Sequence, residues 1–380
     1  MSPRTTVQHN DIEIGIVCAL SLEAHAVRAV FDEIYEDERS SDASDGYRGI
    51  RRVRKASGDK NAYTTGKIGH HEAVLAHIPG IGKANAAAVA SSITSSFEGL
   101  RLVLLVGICG GMPEGHNNKE IMLGDVIIGK NVIQYDFGKQ YPGEYKRKDK
   151  VEDSLGRQGP EIRAFVRKLE SGDDGLEEST LKHLTFLVDK PGWEKSRYPG
   201  EHEDRLFLPD YQHKHRNALD CACVEVDMVC EVAERSSCKQ LNCDTNKSVL
   251  RNRSRASTKQ RPAIHFGSIA SGDTVMKSGQ HRNRIAKTGN IIAFEMEGAG
   301  LWDYVPCIIV KGVCDYADSH KNDDWQKYAA ATAAACTKAI LERWDQTDKH
   351  HQQYQVKNMF NNLLQHLRRK AEVTDRSTER

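Results

Sequence analysis

The sequence predicts an α/β fold of three layers, in which helices cover both faces of a central mixed, mainly parallel sheet. Short apolar runs rich in β-branched residues alternate with segments of helical spacing, as in sheets built from strand–helix units. The apolar runs are nearly continuous, which is typical of strands buried on both faces. Glycines follow several of these runs, where such a sheet opens its ligand cleft.

The first part of the chain contains two strand–helix units. Residues 12–20, "IEIGIVCAL", are predicted to form a strand, and helical spacing follows immediately, with Ser21 placed to cap the helix. A glycine turn then opens an alanine-rich helix at 80–93. Further strands are predicted at 72–80, 100–112 and 124–138.

The pattern breaks at residue 141 and resumes after residue 262. The intervening segment is polar, has weak periodicity and is far longer than an ordinary loop. Beyond it, regular structure is predicted to return at 263–276, 290–305 and 307–318, and a closing helix is predicted at 325–344. We therefore expect one domain at 1–345, interrupted by an irregular or helical insertion at about 141–262, and a charged C-terminal tail at 346–380.

The composition excludes several functional classes. A formal net charge of +1 gives no overall field that would favour nucleic acid or a membrane surface. The polar N-terminal segment lacks the apolar core of a signal peptide, and no run approaches the roughly 18 apolar residues of a membrane span. We expect a cytoplasmic protein whose ten cysteines are mostly reduced.

Half of the cysteines crowd one short part of the insertion. They are Cys221, Cys223, Cys230, Cys238 and Cys243, with His213 and His215 nearby. Zinc sites use four ligands and usually begin with two cysteines separated by two to four residues, whereas this segment begins with two cysteines separated by one, a poor match that does not exclude zinc. Free thiols, structural zinc and disulfides remain open. No metal ligand and no cofactor is assigned.

Four carboxylates lie at the carboxyl ends of the predicted strands, where this type of sheet binds its ligands. Glu23 begins the first helix, Glu295 and Glu297 end one strand, and Asp315 ends the next. An acid in a first helical turn also suits the helix dipole, and an aspartate after a strand also suits a helix cap. Glu297 directly follows an apolar strand, so its buried carboxylate needs polar partners, and sugar hydroxyls are good ones.

These motifs together resemble a known family. The matching stretches are "IGIVCALSLEAHAV", "GIGKANAAA", "GICGGM", "GDVII", "IASGDTVM", "FEMEGAG" and "KGVCDYAD". They are collinear and lie within 12–138 and 263–340. The chain resembles the purine nucleoside phosphorylase/uridine phosphorylase superfamily, and within it the methylthioadenosine/S-adenosylhomocysteine nucleosidase branch. It is similar in particular to fungal versions with a comparable insertion, often fused to NTPase and repeat modules in self/non-self recognition proteins.

The resemblance implies catalytic roles for three acids. Asp315 would hydrogen-bond the purine at N7 and protonate, or share a proton with, the leaving base. Glu297 would bind the ribose 2′- and 3′-hydroxyls, and Glu23 would orient the attacking water. An N-glycosidic bond breaks through an oxocarbenium-like sugar cation, so the leaving base needs a general acid and the water needs placement. We therefore expect Asp315 to be desolvated.

The resemblance also implies a substrate-binding set around these acids. Met296 would pack against the sugar, and Val275 and Met276 would lie near the base. Glu295 and Gly110 complete the expected set.

Hydrolysis is favoured over phosphorolysis. Hexameric bacterial phosphorylases carry an arginine and a serine around the central glycine turn, where this chain has Leu105 and Ile108. A phosphate dianion facing these side chains would lack charge-assisted hydrogen bonds, and the Glu23 carboxylate would repel it. A phosphate-dependent purine nucleoside phosphorylase and a non-catalytic nucleotide-sensing module are the alternatives.

The expected partner is a small molecule, a purine nucleoside or nucleotide. Adenine is favoured because an aspartate at 315 serves N7 and the 6-amino group together. Arg251 and Arg253 lie in a basic segment of the insertion, and we hypothesise that they reach a 5′-phosphate chain, making the substrate AMP, ADP or ATP. A solvated loop is the other interpretation of this segment. A homo-oligomer is favoured because related enzymes are usually dimers or larger.

Overall fold

A computed structural model describes residues 7–35, 53–115, 118–172, 175–216, 220–225, 228–251 and 261–345 of the protein. The chain divides into two compact units, Met1–Arg343 and Trp344–Arg380. Only the first two residues of the second unit fall in the described ranges, so the amphipathic stretch "MFNNLLQHL" lies outside them. Everything below concerns the first unit.

The described ranges contain strands and helices whose bounds are as follows. The strands are β1 (Ile14–Cys18), β2 (Glu33–Ile34), β3 (Ala62–Ile68), β4 (His71–His77), β5 (Leu102–Gly111), β6 (Val126–Gln134), β7 (Gly138–Gln140), β8 (Tyr145–Arg147), β9 (Leu206–Phe207), β10 (Ser248–Val249), β11 (Ile264–Ser271), β12 (Ile291–Glu295) and β13 (Cys307–Asp315). The helices are α1 (Ser21–Arg28), α2 (Lys83–Ser96), α3 (Pro160–Glu170), α4 (Leu176–Val188), α5 (Glu231–Arg235), α6 (Gly279–Ala286), α7 (Gly298–Leu301) and α8 (Gln326–Leu341). None of these helices is both long and apolar enough to cross a bilayer.

A central sheet with the strand order β12-β11-β6-β13-β5-β1-β4-β3-β2 organises the unit. Its pairings include parallel ones, such as β1 with β5 and β13 with β5, and antiparallel ones, such as β13 with β6. The predicted α/β fold with a mixed, mainly parallel sheet is confirmed. Strand β12 also pairs with β5, where Phe294 lies opposite Gly110. Five strands (β12, β11, β6, β13 and β5) thereby close into a ring.

The core is built from the fully buried strands β1, β12 and β13 and from helix α8. Seven of the sixteen residues of α8 are alanine, and these small side chains let its backbone approach the sheet closely. A Cβ added at Gly312 of β13 would lie 2.0 Å from the carbonyl oxygen of Ala329. Each large side chain buried in this core contributes about 1.5–3 kcal/mol of transfer free energy. The close contact between α8 and β13 leaves no space between the two backbones.

Two sequence-based expectations need correction or extension. Ser21 does not cap α1; Leu20 occupies the N-cap position, and the Glu23 carboxylate accepts its N–H. The insertion, expected to be irregular or helical, contains the helices α3 and α4, and α4 packs against α8. The expected insertion limits at about 141–262 stay a prediction.

Candidate active site

A pocket of about 170 Å³ lies where β1, β5, β12 and β13 end. Eight of the residues selected from the sequence line it: Glu23, Gly110, Val275, Met276, Glu295, Met296, Glu297 and Asp315. Strands that run toward a common edge place their terminal side chains together. The pairing of β12 with β5 draws the Glu295–Glu297 segment into the same group.

Glu23 is held by main-chain donors on two elements. Its Oε2 accepts the N–H groups of Ala19 and Leu20 at 2.9 and 2.8 Å, and its Oε1 accepts the N–H of Ile108 at 2.8 Å. The close approach to β5 requires a glycine, because a Cβ on Gly107 would lie 2.2 Å from Oε1. Burial raises the pKa of Glu23, against the opposing effect of Lys311 and of these main-chain bonds.

Glu295 organises the backbone beside the pocket. Its carboxylate accepts the N–H of Glu297 at 3.0 Å and that of Gly298 at 2.9 Å. These donors open the short helix α7, so Glu295 satisfies groups that otherwise have no partner at a helix start. Burial raises the pKa of Glu295, and the Lys311 ammonium opposes the increase. Glu295 lines the pocket, but its oxygens are engaged in holding the main chain of Glu297.

Glu297 faces the pocket from a fixed position. Its Oε2 lies 3.2 Å from Nζ of Lys311, and its Oε1 accepts the N–H of Gly82 at 3.3 Å. Both Glu297 and Lys311 are almost fully buried. Burial lowers the pKa of Lys311, but Glu297, Glu295 and Glu23 outweigh that effect and raise it. The ammonium therefore serves as the counterion of a buried carboxylate group.

Asp315 lines the same pocket. It is 4% exposed, in line with the expected desolvation. Its Oδ1 accepts the N–H of Ala317 at 2.8 Å, and its Oδ2 lies 2.9 Å from Nζ of Lys321, which also lines the pocket. Gly110 permits this placement, because a Cβ there would lie 2.8 Å from Oδ1 of Asp315.

The remaining pocket-lining residues form an apolar wall. Met276 is buried in a cluster with Tyr135 and Phe294, whose rings meet edge to face at 5.8 Å. Val275 is 43% exposed, and Met296 is half-buried beside Glu297. Such apolar surface suits the face of an aromatic base.

The structure does not bring Arg251 to this pocket. Its Nη2 donates to the carbonyl oxygens of Pro113 and Ile121 at 2.7 and 2.6 Å, and its side chain is buried. The guanidinium also lies over the ring of Tyr316, 5.4 Å from its centroid. The expectation that Arg251 points to a substrate phosphate is therefore unsupported by its contacts. Arg253 lies outside the described residues.

Two lysines that form ion pairs with the acids of the pocket escaped the sequence analysis. Lys311 sits in the middle of the apolar run "CIIVKGVCD", and a lysine in a strand buried on both faces signals a buried counterion. Lys321 follows Asp315 by six residues, in a polar loop whose course the sequence does not reveal. In the described part of the chain, the groups of His, Cys and acidic side chains close enough to share a metal ion lie away from these acids.

Comparisons with known proteins agree with this architecture. A family model described as the phosphorylase superfamily matches residues 13–171. A nucleotide-binding leucine-rich repeat (NLR)-like protein of Hyaloscypha variabilis is 30% identical over 347 residues, which are 89% of this chain; the chain spans about 30% of that relative's length. A 5′-methylthioadenosine/S-adenosylhomocysteine nucleosidase of Mycobacterium bovis is 19% identical, covering 87% of this chain and 96% of its own.

A solved structure is similar in fold. The 5′-methylthioadenosine/S-adenosyl homocysteine nucleosidase of Helicobacter pylori, crystallised with a pyrrolidine-based inhibitor, superposes with a TM-score of 0.51. It is 15% identical and covers 88% of this chain and 99% of its own. At this identity the likeness concerns the fold, and the chemistry has to be argued from the pocket.

Proposed function

We propose that this chain, which matches the phosphorylase superfamily model over residues 13–171, is a hydrolase that cleaves the N-glycosidic bond of an adenine nucleoside. The observation that carries the proposal is the placement of Glu23, Glu297 and Asp315 around one pocket. A bond of this kind needs a group that binds the sugar, a group that receives the base and a placed nucleophile. The three carboxylates supply these functions from the first turn of α1, from the N-cap of α7 and from the end of β13.

Water is the nucleophile in this proposal because Glu23 occupies the main-chain donors at the end of β1 and β5. The N–H groups of Ala19, Leu20 and Ile108 already bind its two oxygens. A phosphate ion at this position would meet a carboxylate in place of free donors. A water molecule can instead donate a hydrogen bond to that carboxylate and be aimed at the sugar.

The sugar side is assigned to Glu297. Its carboxylate accepts hydrogen bonds from the 2′- and 3′-hydroxyls of ribose, and its negative charge stabilises the sugar cation as it forms. Lys311 fixes the carboxylate from behind, and Glu295 holds the main chain at the same point. Met296 packs beside the sugar. Preorganisation of this kind is effective because the side chains are buried and do not have to reorient.

The base side is assigned to Asp315. When the bond from C1′ to N9 breaks, its electron pair stays on the purine, and Asp315 donates or shares a proton with N7. The water oxygen forms the new bond to C1′ and transfers its proton to Glu23. Lys321, 2.9 Å from Asp315, adds positive charge where negative charge develops on the base. Met276 and Val275 provide apolar surface for the ring.

Adenine is proposed because the aspartate can serve N7 and the 6-amino group together, and the named nucleosidase relatives act on adenine nucleosides. The 5′ substituent is the open part of the substrate. The contacts of Arg251 do not direct a cation to the pocket, so the nucleoside itself is the first substrate to test, with AMP and ATP as further arms.

Two other functions make different predictions. A phosphorylase requires phosphate and releases ribose 1-phosphate. A sensing module binds the nucleotide without breaking it, a role that would suit a domain with a likeness to part of an NLR-like protein. The pocket contains a water-placing carboxylate, which binding alone does not need, and this favours hydrolysis.

The test measures products with and without phosphate. The full chain is incubated with adenosine, methylthioadenosine, AMP or ATP, and bases and sugars are separated by chromatography. We expect adenine and a free sugar in phosphate-free buffer, at a rate that added phosphate does not raise. Base release that depends on phosphate and yields ribose 1-phosphate would overturn the hydrolase. Binding without base release for every substrate would favour the sensing module.

A further inference from the structure

Eight cysteine and histidine side chains gather in two groups away from the pocket. The first, here the nested cluster, consists of His215, Cys221, Cys223 and Cys230. The second, here the bridging cluster, consists of His213, Cys238, Cys243 and His320. In each cluster the four potential ligand atoms lie within 4.8 Å of one another. We propose that each cluster binds one structural Zn²⁺ ion.

The distances inside the clusters fit a tetrahedral zinc site. Zinc–sulfur bonds of about 2.3 Å and zinc–nitrogen bonds of about 2.0–2.1 Å place sulfur and nitrogen about 3.6 Å apart in a regular tetrahedron. In the nested cluster the sulfurs of Cys221, Cys223 and Cys230 lie 3.6, 3.9 and 3.5 Å from Nδ1 of His215. The four donors therefore surround a point at bonding distance from each of them.

The bridging cluster has the same dimensions. Sγ of Cys238 lies 3.6 Å from Nδ1 of His213 and 3.5 Å from Nδ1 of His320. Sγ of Cys243 lies 3.5 Å from Nδ1 of His213. Four ligands from three separate parts of the chain thus converge on one centre.

The histidines of the bridging cluster are oriented as metal ligands are. Nε2 of His213 lies 2.8 Å from the carbonyl oxygen of Ser236, and Nε2 of His320 lies 2.9 Å from that of Tyr211. A carbonyl can only accept, so each Nε2 carries the hydrogen and each Nδ1 presents a lone pair to the cysteines. Such an outer hydrogen bond fixes the tautomer and the ring plane of a ligating histidine.

Main-chain donors surround the sulfurs of the nested cluster. The N–H of Cys230 points to Sγ of Cys223 at 3.4 Å, and the N–H of Ala233 points to Sγ of Cys230 at 3.3 Å. A thiolate accepts such bonds far better than a thiol does. The arrangement is therefore suited to sulfurs that have lost their protons to a metal.

The ligand types select zinc and a structural role. Thiolates combined with imidazoles in a tetrahedron are typical of Zn²⁺, with two cysteines and two histidines in one cluster and three cysteines and one histidine in the other. Because four protein side chains complete each site, no position is left for a reacting water. All ten cysteines lie in the described ranges, and all are free thiols. Sulfurs so arranged are ligands and not disulfide partners.

The surrounding segment needs such support. Its hydrophobic core is a small cluster of Cys223, Ala233 and Leu241, to which partly buried cysteines are added. A core of this size cannot offset the conformational entropy of ordering the segment, and small folds of this kind usually depend on metal or disulfide crosslinks. Metal binding would supply the missing free energy of folding.

The bridging cluster ties the insertion to the pocket. His320 comes from the loop after β13, next to Lys321, and its ring stacks on Phe207 at 3.9 Å. The N–H of His213 also bonds Oγ of Ser319 at 3.0 Å. A metal at this cluster would fix the loop that carries Lys321 to Asp315. His320 does not line the pocket, and its role is to position the loop that carries Lys321.

The order of ligands along the chain predicts that the sites are separable. The nested cluster uses ligands only from positions 215–230, between His213 and Cys238 of the bridging cluster. It can therefore close without the bridging cluster. Loss of a nested ligand should remove one zinc ion and leave the second in place.

Metal content of the full chain tests the proposal independently of any activity. The chain is purified without chelators, and zinc is measured by inductively coupled plasma mass spectrometry against protein concentration. We expect two zinc ions per chain, one in Cys230→Ser, one in Cys238→Ser and none in the double variant. Cys336→Ala, in the middle of the alanine-rich α8, is the matched control and should keep both ions. Zinc at background level in wild type would overturn the proposal.

A second measurement covers variants that fail to fold. Cobalt exchanged into the wild-type chain should give thiolate-to-metal charge-transfer absorption and the intense visible bands of tetrahedral cobalt. His320→Cys keeps a ligand and should retain two metal ions, whereas His320→Ala should lose one. Octahedral cobalt spectra, or disulfides among these cysteines by mass spectrometry, would contradict the proposal. A wild-type chain that holds a single zinc ion, kept in Cys238→Ser and lost in Cys230→Ser, would refute the bridging cluster alone.

Discussion

Nζ of Lys311 lies 3.2 Å from Oε2 of Glu297, and both side chains are almost fully buried. The same ammonium lies 3.6 Å from Oε2 of Glu295. One cation thus compensates two carboxylates that the sequence places one residue apart. This arrangement explains how two acids are accommodated at the end of a buried strand. One binds the main chain, and the other is held facing the pocket.

The first prediction follows from that ion pair. Lys311→Met leaves two carboxylates buried without their counterion, and removal of one partner of a buried pair typically costs about 3–5 kcal/mol. Urea unfolding should show a loss of this size. Lys327→Met, on an exposed face of α8, is the control and should change the free energy of unfolding little. Unchanged stability of Lys311→Met would mean that the pair is not buried in solution.

A second prediction concerns the pH dependence of base release. Burial raises the pKa of Glu23, and the carboxylate must be ionised to accept a proton from water. As the pH falls through this raised pKa, Glu23 becomes protonated and kcat/KM should decrease. The decrease should begin above the pH expected from an exposed glutamate, whose pKa is about 4.3.

The matched variant for this decrease at low pH, the acid limb of the pH profile, is Glu23→Gln. It keeps the size of the side chain but cannot accept the proton. Its rate should be about 10²–10⁴-fold lower, and the acid limb due to Glu23 should disappear. An unchanged acid limb in Glu23→Gln would assign the titration to a different group.

A third prediction concerns stability. Burial raises the pKa of Asp204 from 3.8 to about 6, although Tyr316 donates a hydrogen bond to its Oδ1. A carboxyl group with a raised folded-state pKa contributes stability below its unfolded pKa, and loses it as the pH rises through the folded pKa. The full contribution is about 3 kcal/mol, of which about 1 kcal/mol is lost between about pH 5 and pH 7.

Asp204→Asn should lack this dependence. The difference in free energy of unfolding between wild type and variant should therefore shrink by about 1 kcal/mol over the same interval, as measured by urea titration at each pH. The neighbouring Glu203→Gln is the control and should keep the wild-type slope. Parallel pH profiles for wild type and Asp204→Asn would show that Asp204 has an ordinary pKa.

A fourth prediction separates the two arginines. Arg251→Ala removes two bonds to the carbonyls of Pro113 and Ile121, each worth about 1.5–3 kcal/mol for a charged donor. Turnover of adenosine and AMP should fall together, along with stability. Arg253→Ala tests the hypothesis that a cation of this basic segment binds a 5′-phosphate. This variant should weaken the turnover of AMP and leave that of adenosine unchanged. Selective loss of AMP turnover in Arg251→Ala would restore Arg251 as a phosphate ligand.

The strands of the central sheet could be predicted where a buried strand coincides with an apolar run in the sequence. Strands β1, β5, β6, β11 and β13 are apolar runs with a clear end, and their bounds differ from the predicted segments by at most five residues. Strand β12 ends ten residues before the predicted segment 290–305, which also contains α7. The helix α3 was missed although Ile162, Phe165, Val166 and Leu169 have helical spacing. Its many charged residues hid the apolar stripe. The closing of β12 onto β5 is a tertiary pairing that no local pattern encodes.

The site was predictable for acids that end strands, because strand ends converge in this architecture. The role of Glu295 was less accessible, since only coordinates show that its oxygens bind main-chain N–H groups. The counterions Lys311 and Lys321 were not identified for the same reason. The zinc clusters were also hidden, because their ligands alternate between two centres and the last, His320, lies far along the chain.

The most direct test of the account compares adenine release by wild type and Asp315→Asn in phosphate-free buffer. Asp324→Asn, on an exposed loop of the same segment, is the control, and equal zinc content shows that each variant is folded. The account predicts that wild type and Asp324→Asn release adenine from adenosine or a related adenine nucleoside, and that Asp315→Asn is slower by about 10²–10⁴-fold. Release at the wild-type rate by Asp315→Asn, or no release by the wild-type chain, would contradict it.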